Sequence, residues 1–165
     1  MSVIQKKVCF LGEFAVGKTS LIRRFVEGKF EEKYLSTIGV AVSRKSVQLD
    51  NHTVKLLIWD LAGGDDYSNS SYLLGAAGGL ISCDLTRVDT LDALTAYHQQ
   101  LRRVNPKAKV VLIANKVDLE AERAIPEADL TAVAEQLNAP LFYTSAKTGQ
   151  NVEEAFSSLA EQVLA

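Results

Sequence analysis

The chain has 165 residues, 47% of them apolar and 23% charged. That is enough for one domain with a substantial core, and it matches neither a disordered chain nor a membrane-embedded one. Its 18 basic and 20 acidic residues leave a net charge of −2, without the basic excess of a dedicated nucleic-acid binder.

The N-terminal MSVIQKKVCFLG is too short in its apolar run for a signal peptide. Val8 to Gly12 reads as a buried strand ending at a glycine-rich turn. A helix is expected from about Gly17 to Glu27, and a polar loop from Gly28 to Gly39. Val40 to Leu49 alternates like an edge strand. It turns at Asp50-Asn51 and returns as VKLLIWD, Val54 to Asp60, which predicts a hairpin. Ala62 to Ser71 is small and polar. GLISCD, Gly79 to Asp84, is continuously apolar, as a parallel strand buried on both faces would be.

Val88 to Val104 reads as a long helix that Asn105-Pro106 ends. VVLIAN, Val110 to Asn115, is another buried strand. Pro126 suits the first turn of a helix reaching Leu137. PLFYTSA holds the last strand, and Asn151 is expected to cap a helix over Val152 to Leu164. No stretch reaches transmembrane length. No repeat or linker divides the chain, so residues 1–165 read as a single domain.

The element order β-α-β-β-α-β-α-β-α-β-α predicts an α/β fold. It should have three layers, a six-stranded mostly parallel sheet with one antiparallel edge strand, and about five helices. Ligands of such folds sit at the carboxyl ends of the strands. The notable polar residues fall there: Gly12 to Thr19, Asp60, Asn115 to Asp118 and Ser145 to Lys147. Cys9 and Cys83 lie in apolar strands without metal-site spacing, as buried reduced thiols of a cytoplasmic protein would.

GEFAVGKT, Gly12 to Thr19, matches GxxxxGK[ST] between a strand and a helix. In such a phosphate loop the backbone N–H groups around Phe14, Ala15, Val16 and Gly17 curl about phosphate oxygens. Lys18 places a positive charge at the β- and γ-phosphates, the Thr19 hydroxyl ligates Mg²⁺, and the helix N-terminus adds its dipole. The loop alone does not choose between ATP and GTP. NKVD, Asn115 to Asp118, makes that choice. Guanine presents N1–H and N2–H₂ side by side, and the Asp118 carboxylate can accept both; adenine offers no such pair. Asn115 can bridge base and phosphate loop, and the Lys116 stem can lie along the ring. In Ser145-Ala146-Lys147 the Ala146 N–H can donate to guanine O6.

With these motifs in order, the chain resembles a Ras-superfamily small GTPase over essentially its whole length. It is most similar to the Rab branch in YLSTIGV (Tyr34 to Val40), KLLIWD (Lys55 to Asp60) and YLLGA (Tyr72 to Ala76). The resemblance implies a monomeric, GTP- and GDP-binding molecular switch with Mg²⁺ as cofactor and GTP hydrolysis as its activity. It implies that Thr37 ligates Mg²⁺ and contacts the γ-phosphate, that Asp60 holds Mg²⁺ through a water, and that the Gly63 N–H meets the γ-phosphate. Ser20 would meet the α-phosphate, Phe30 the guanine edge, and Tyr34 would close over the phosphates. Effectors, an exchange factor and an activating protein are implied at residues 28–49 and 60–76.

Four departures bear on catalysis and attachment. The family's DxxGQ reads DLAGG here, Asp60 to Gly64, so Gly64 has no side chain to orient the attacking water. Water alignment is a main part of a reaction governed by positioning and electrostatics. Phe14 stands where a small residue is usual and can crowd an arginine finger. Gly63 and Gly75 are about two residues closer than in typical Rabs, and GDDYSNSSYLL between them is acidic. The C-terminal EEAFSSLAEQVLA carries no cysteine, so no lipid anchor is expected from this sequence. The expectation is weak intrinsic hydrolysis with Lys18, Thr37, Gly63 and Gly64 at the reacting phosphate. The alternative is a GTP-locked interaction module with nucleotide as structural cofactor. A metabolic kinase is disfavoured, because no basic lid insertion is present and NKVD would be unexplained.

Overall fold

The computed structural model describes residues 2–13, 15–28, 40–61 and 70–164. Six strands form one sheet: β1 (Ser2–Gly12), β2 (Val40–Gln48), β3 (His52–Leu61), β4 (Gly78–Asp84), β5 (Lys109–Asn115) and β6 (Leu141–Thr144), in the order β2-β3-β1-β4-β5-β6. β2 runs antiparallel to β3 at the edge and every other pairing is parallel. This is the sheet expected from the sequence, with the hairpin and edge strand where the alternating pattern put them.

The period of two along β1 sorts its side chains between two cores. Val8 and Phe10 face one, and Cys9 and Leu11 the other. On the first face pack α1 (Lys18–Glu27) and α4 (Val152–Leu164), through Leu21, Ile22 and Phe25 and through Phe156 and Leu159. Phe25 and Phe156 stack with ring centroids 4.0 Å apart, and Phe10 meets Phe156 edge-on. On the second face lie α2 (Asp89–Val104) and α3 (Glu127–Leu137), with Leu94 and Leu101 of α2 and Leu130 of α3 fully buried. The result is the three-layer α/β arrangement.

β4 is buried along its whole length, as its unbroken apolar run requires. Its two glycines set how closely the helices approach. A Cβ on Gly78 would come within 2.9 Å of Leu159 on α4, and one on Gly79 within 2.7 Å of Leu101 on α2. Both cysteines are buried and free. Burial pushes the Cys9 thiol up to about 11 and the Cys83 thiol up to about 12, the latter with help from the neighbouring Asp84 charge.

About five helices were expected; the described residues hold four α-helices and two short 3₁₀ turns, Ser70–Leu73 and Glu120–Glu122, and residues 62–69, between β3 and the first of these turns, lie outside them. The first turn stands between β3 and β4, where the element pattern puts a helix. Ser70 and Ser71 are weak helix formers, and Gly75 at φ 77° ends the run. Asn151 precedes α4 as expected, and its carbonyl accepts the Ala155 N–H at 3.1 Å; its backbone is left-handed at φ 56° and its side-chain amide donates to Tyr143 O at 2.9 Å. The amide therefore ties the start of α4 to β6. Among the described residues, no helix is long and apolar enough to cross a membrane.

Candidate functional site

The carboxyl ends of five strands meet along one edge. Registers align Phe10 with Asp60, Gly12 with Ser82, Asp84 with Asn115, and Asn115 with Thr144. Asp60, Asp84, Asn115 and Thr144 are polar yet buried. Such burial is costly unless each group has partners, and those partners define the site.

β1 leads through Gly12 into a loop whose backbone turns left-handed at Ala15 (φ 65°) and Gly17 (φ 99°). Gly17 is the residue before α1, which has no side-chain cap. The first helical bond runs from the Leu21 N–H to Gly17 O at 2.9 Å. The N–H groups of Lys18, Thr19 and Ser20 precede that bond and open the helix at its positive end. Gly17 is also the point of closest approach to β5, because a Cβ there would run into the Asn115 side-chain amide. Val16 is fully buried, and Ser20 is half-buried in the first turn of α1.

Lys18 is only 6% exposed. Burial lowers its pKa, against the opposing pull of the Asp60 and Glu13 carboxylates. A cation held in this way at a helix N-terminus is matched to an anion that replaces its lost hydration. Beside it the Thr19 hydroxyl donates to Asp60 Oδ2 at 2.6 Å. A hydroxyl and a carboxylate are hard oxygen donors of the kind Mg²⁺ takes, with other positions left to phosphate oxygens and water. These residues fit both groups.

The base-side segment is bonded directly to the phosphate loop. Asn115 Nδ2 donates to Val16 O at 2.9 Å, and Thr144 Oγ1 donates to Asn115 Oδ1 at 3.0 Å. Lys116, left-handed at φ 72°, donates through Nζ to Ala15 O at 3.1 Å and to Asp84 Oδ2 at 2.7 Å. Asp118 accepts from Ser145 Oγ at 2.7 Å, and the same hydroxyl oxygen accepts the Thr148 N–H at 3.0 Å. Ser145 therefore stands behind Asp118 and orients it. Ala146 is buried and Lys147 exposed at this rim. The structure thus gathers Ala15, Val16, Gly17, Lys18, Thr19, Ser20, Asp60, Asn115, Lys116, Asp118, Ser145, Ala146 and Lys147 at one edge of the sheet. Phe14, Phe30, Tyr34, Thr37, Gly63 and Gly64 lie outside the described residues.

The family model described as "Ras family" matches residues 7–165. The chain belongs to the Ras family. Among curated proteins, this Ras-family chain is 38% identical to "GTP-binding protein ypt5" of Schizosaccharomyces pombe, over 97% of its own length and 78% of that protein's. It is 36% identical to "Ras-related protein Rab-31" of Rattus norvegicus and of Mus musculus, over 99% of its length and 85% of theirs. It is a Rab-like small GTPase of the Ras superfamily.

Sequence reasoning missed three supports of this Rab-like site. Asp84 is fully buried; its Oδ1 accepts the Thr86 N–H at 2.8 Å and the Thr86 hydroxyl at 2.7 Å, while Lys116 takes the other oxygen. A signal was present: GLISCD ends in Asp84 as KLLIWD ends in Asp60, each an apolar strand closing on a carboxylate. Thr144 is the second miss. The third is Arg24 of α1, whose Nη2 donates to Thr148 O at 3.1 Å.

Arg24 lies against Gly149, where φ is +86° and a Cβ would come 2.7 Å from the guanidinium. Gly149→Ala is expected to cost about 1–2 kcal/mol of backbone strain, to displace Arg24, and to loosen the loop carrying Ser145. Urea unfolding checks the stability loss. The same substitution in an Arg24→Ala background should cost less, because no guanidinium then has to move.

Proposed function

We propose that this Rab-like GTPase binds GTP and GDP with Mg²⁺, acts as a cytoplasmic molecular switch, and hydrolyses GTP slowly on its own. The observation that carries the guanine assignment is the interlock between the two loops. Asn115 and Lys116 bond the phosphate-loop carbonyls Val16 O and Ala15 O, while Ser145 holds Asp118. Asp118 is thereby set at a fixed distance from the phosphate loop, ready to accept the guanine N1–H and N2–H₂ of a nucleotide whose phosphates rest on the α1 N-terminus.

In this reading Lys18 and the loop N–H groups hold the β- and γ-phosphates. Thr19, Asp60 and Thr37 hold the metal. Bound Mg²⁺ would offset charge developing on the phosphates. Thr37 and Gly63 respond to the γ-phosphate, and effectors, an exchange factor and an activating protein read residues 28–49 and 60–76. The described parts of those segments expose Val42 and Leu74, apolar side chains suited to a protein partner.

Slow hydrolysis rests on Gly64, which supplies no side chain to orient water. The same residue favours a second reading, a GTP-locked interaction module with negligible turnover. The nucleotide that copurifies and a single-turnover assay separate these readings. Bound GTP with slow but measurable turnover, raised by Gly64→Gln, supports the switch. Bound GTP with no turnover in either form supports the locked module. Copurified ATP would overturn the guanine assignment, and an ordinary small-GTPase rate without partners would overturn slow hydrolysis.

A further inference from the structure

At the end of the sheet opposite the nucleotide loops, where β4 and β5 begin and α2 and α4 finish, lies a cavity of about 510 Å³. That volume is in the range of small-molecule sites, about 300–1,000 Å³. Arg102, Lys107 and Lys109 line it, with Asn105 beside them and Ala77 and Val163 among its apolar wall; among the described residues no acidic side chain contributes. A chain of net charge −2 thus brings three cations to one hollow.

The turn that presents them is firmly held. The Asn105 side-chain amide donates to Ala76 O, Asn105 Oδ1 accepts the Lys107 N–H at 3.3 Å, and the Lys109 N–H donates to Ala77 O at 3.1 Å. Arg102 uses Nη1 on Pro106 O at 3.4 Å, but its Nε is buried with no acceptor among the described residues. A buried N–H left in this way costs the full desolvation of that group. One turn back on α2, burial and then the Arg102 charge lower the pKa of His98.

Helix-dipole complementation accounts for Arg102 and Arg103, both in the last turn of α2. It does not account for Lys107 and Lys109, which follow the helix in the turn and at the start of β5. The surplus cations point to one kind of occupant: a compact anion with several oxygens, which a guanidinium and two ammonium groups bind together.

We propose that this cavity is a second ligand site, separate from the nucleotide loops, that binds a phosphomonoester group. The group is carried either by a soluble phosphate ester or by a phosphorylated lipid headgroup. The Arg102 guanidinium supplies its charge and N–H groups at the wall, and Lys107 and Lys109 close over the remaining oxygens.

The test is a titration of nucleotide-saturated protein with inorganic phosphate, read by the backbone amide resonances of Arg102, Asn105, Lys107 and Lys109. Saturable shifts at these residues are expected. Arg102→Gln and the double variant Lys107→Gln/Lys109→Gln should each weaken binding by about tenfold, the effect of losing one charge-assisted hydrogen bond. Arg102→Lys, which keeps the charge and loses the fork, should weaken it less than Arg102→Gln. The lysines are exposed, so their variant remains folded if Arg102→Gln does not. Co-sedimentation with phosphatidylcholine vesicles containing phosphatidylinositol 4-phosphate, reversed by free phosphate, assigns the lipid source. Phosphate binding without co-sedimentation assigns the soluble ester. Absence of saturable shifts at these four residues, shifts equally produced by chloride, or unchanged affinity in both charge-removing variants would each overturn the site.

Discussion

Gly17→Ala is expected to reduce guanine-nucleotide affinity by at least about 100-fold and to destabilise the nucleotide-free protein by about 2–5 kcal/mol. Two causes add. The backbone at Gly17 is left-handed at φ 99°, which costs an L-residue about 1–2 kcal/mol. The new Cβ also lands on the Asn115 side-chain amide. Asn115 cannot retreat freely, because it donates to Val16 O and accepts from Thr144 Oγ1. Leaving a buried polar group without its partner costs about 1–3 kcal/mol. Moving Asn115 shifts both the guanine-side loop and the support of the phosphate loop, so affinity falls further than stability alone accounts for. Gly28→Ala is the comparison. Gly28 is also left-handed at φ 70°, but its Cβ would meet nothing within 4 Å, so it should lose only the backbone share, about 1 kcal/mol. Urea unfolding of both variants, with nucleotide titration of the first, checks the difference. Equal stability losses would show that contact with Asn115 contributes nothing.

Lys116→Met is expected to destabilise the protein by about 3 kcal/mol and to speed nucleotide dissociation. The side-chain volume is nearly conserved, but Asp84 Oδ2 loses its ammonium partner at 2.7 Å and Ala15 O loses its donor at 3.1 Å. Asp84 is fully buried. Removing one member of a buried pair costs about 3–5 kcal/mol because the remaining charge has no compensation. The lower end applies here, since the Lys116 side chain is 31% exposed and water reaches it. Adding Asp84→Asn removes the stranded charge, so the double variant should regain part of the stability. Its nucleotide off-rate should stay high, because Ala15 O is still unsupported. A double-mutant cycle in urea, together with off-rates of a fluorescent guanine nucleotide, reads both effects. A double variant no more stable than Lys116→Met would show that the buried Asp84 charge is not what Lys116 offsets.

The two predictions mark how far the sequence carries. Gly17, Lys18 and Thr19 are legible without coordinates because their role is local: a strand, a glycine turn and a helix start in one unbroken stretch allow little else. The sheet is equally legible. GLISCD and VVLIAN can sit only where both faces are covered, and Val40 to Leu49 alternates because one of its faces is open. Asn151 stands at the start of α4 as expected, and its amide also donates across to Tyr143 O, a contact that depends on where β6 lies.

The supports behind the site were not legible, and sequence distance is the reason. Lys116 is 32 residues from Asp84 and 101 from Ala15, Asn115 is 99 from Val16, and Arg24 is 124 from Thr148. Residue types show which groups can bind a phosphate or read guanine. They do not show which carbonyl or carboxylate each donor will meet, because that depends on strand register and on how closely helices pack. Sequence alone therefore determined the α/β sheet, the phosphate loop and the guanine-reading segment, each encoded within a few consecutive residues. Only the tertiary structure decided that Lys116 would pair with a buried Asp84, that Ser145 would orient Asp118, and that Arg102, Lys107 and Lys109 would share one cavity. Those groups meet only after the sheet has brought distant segments together.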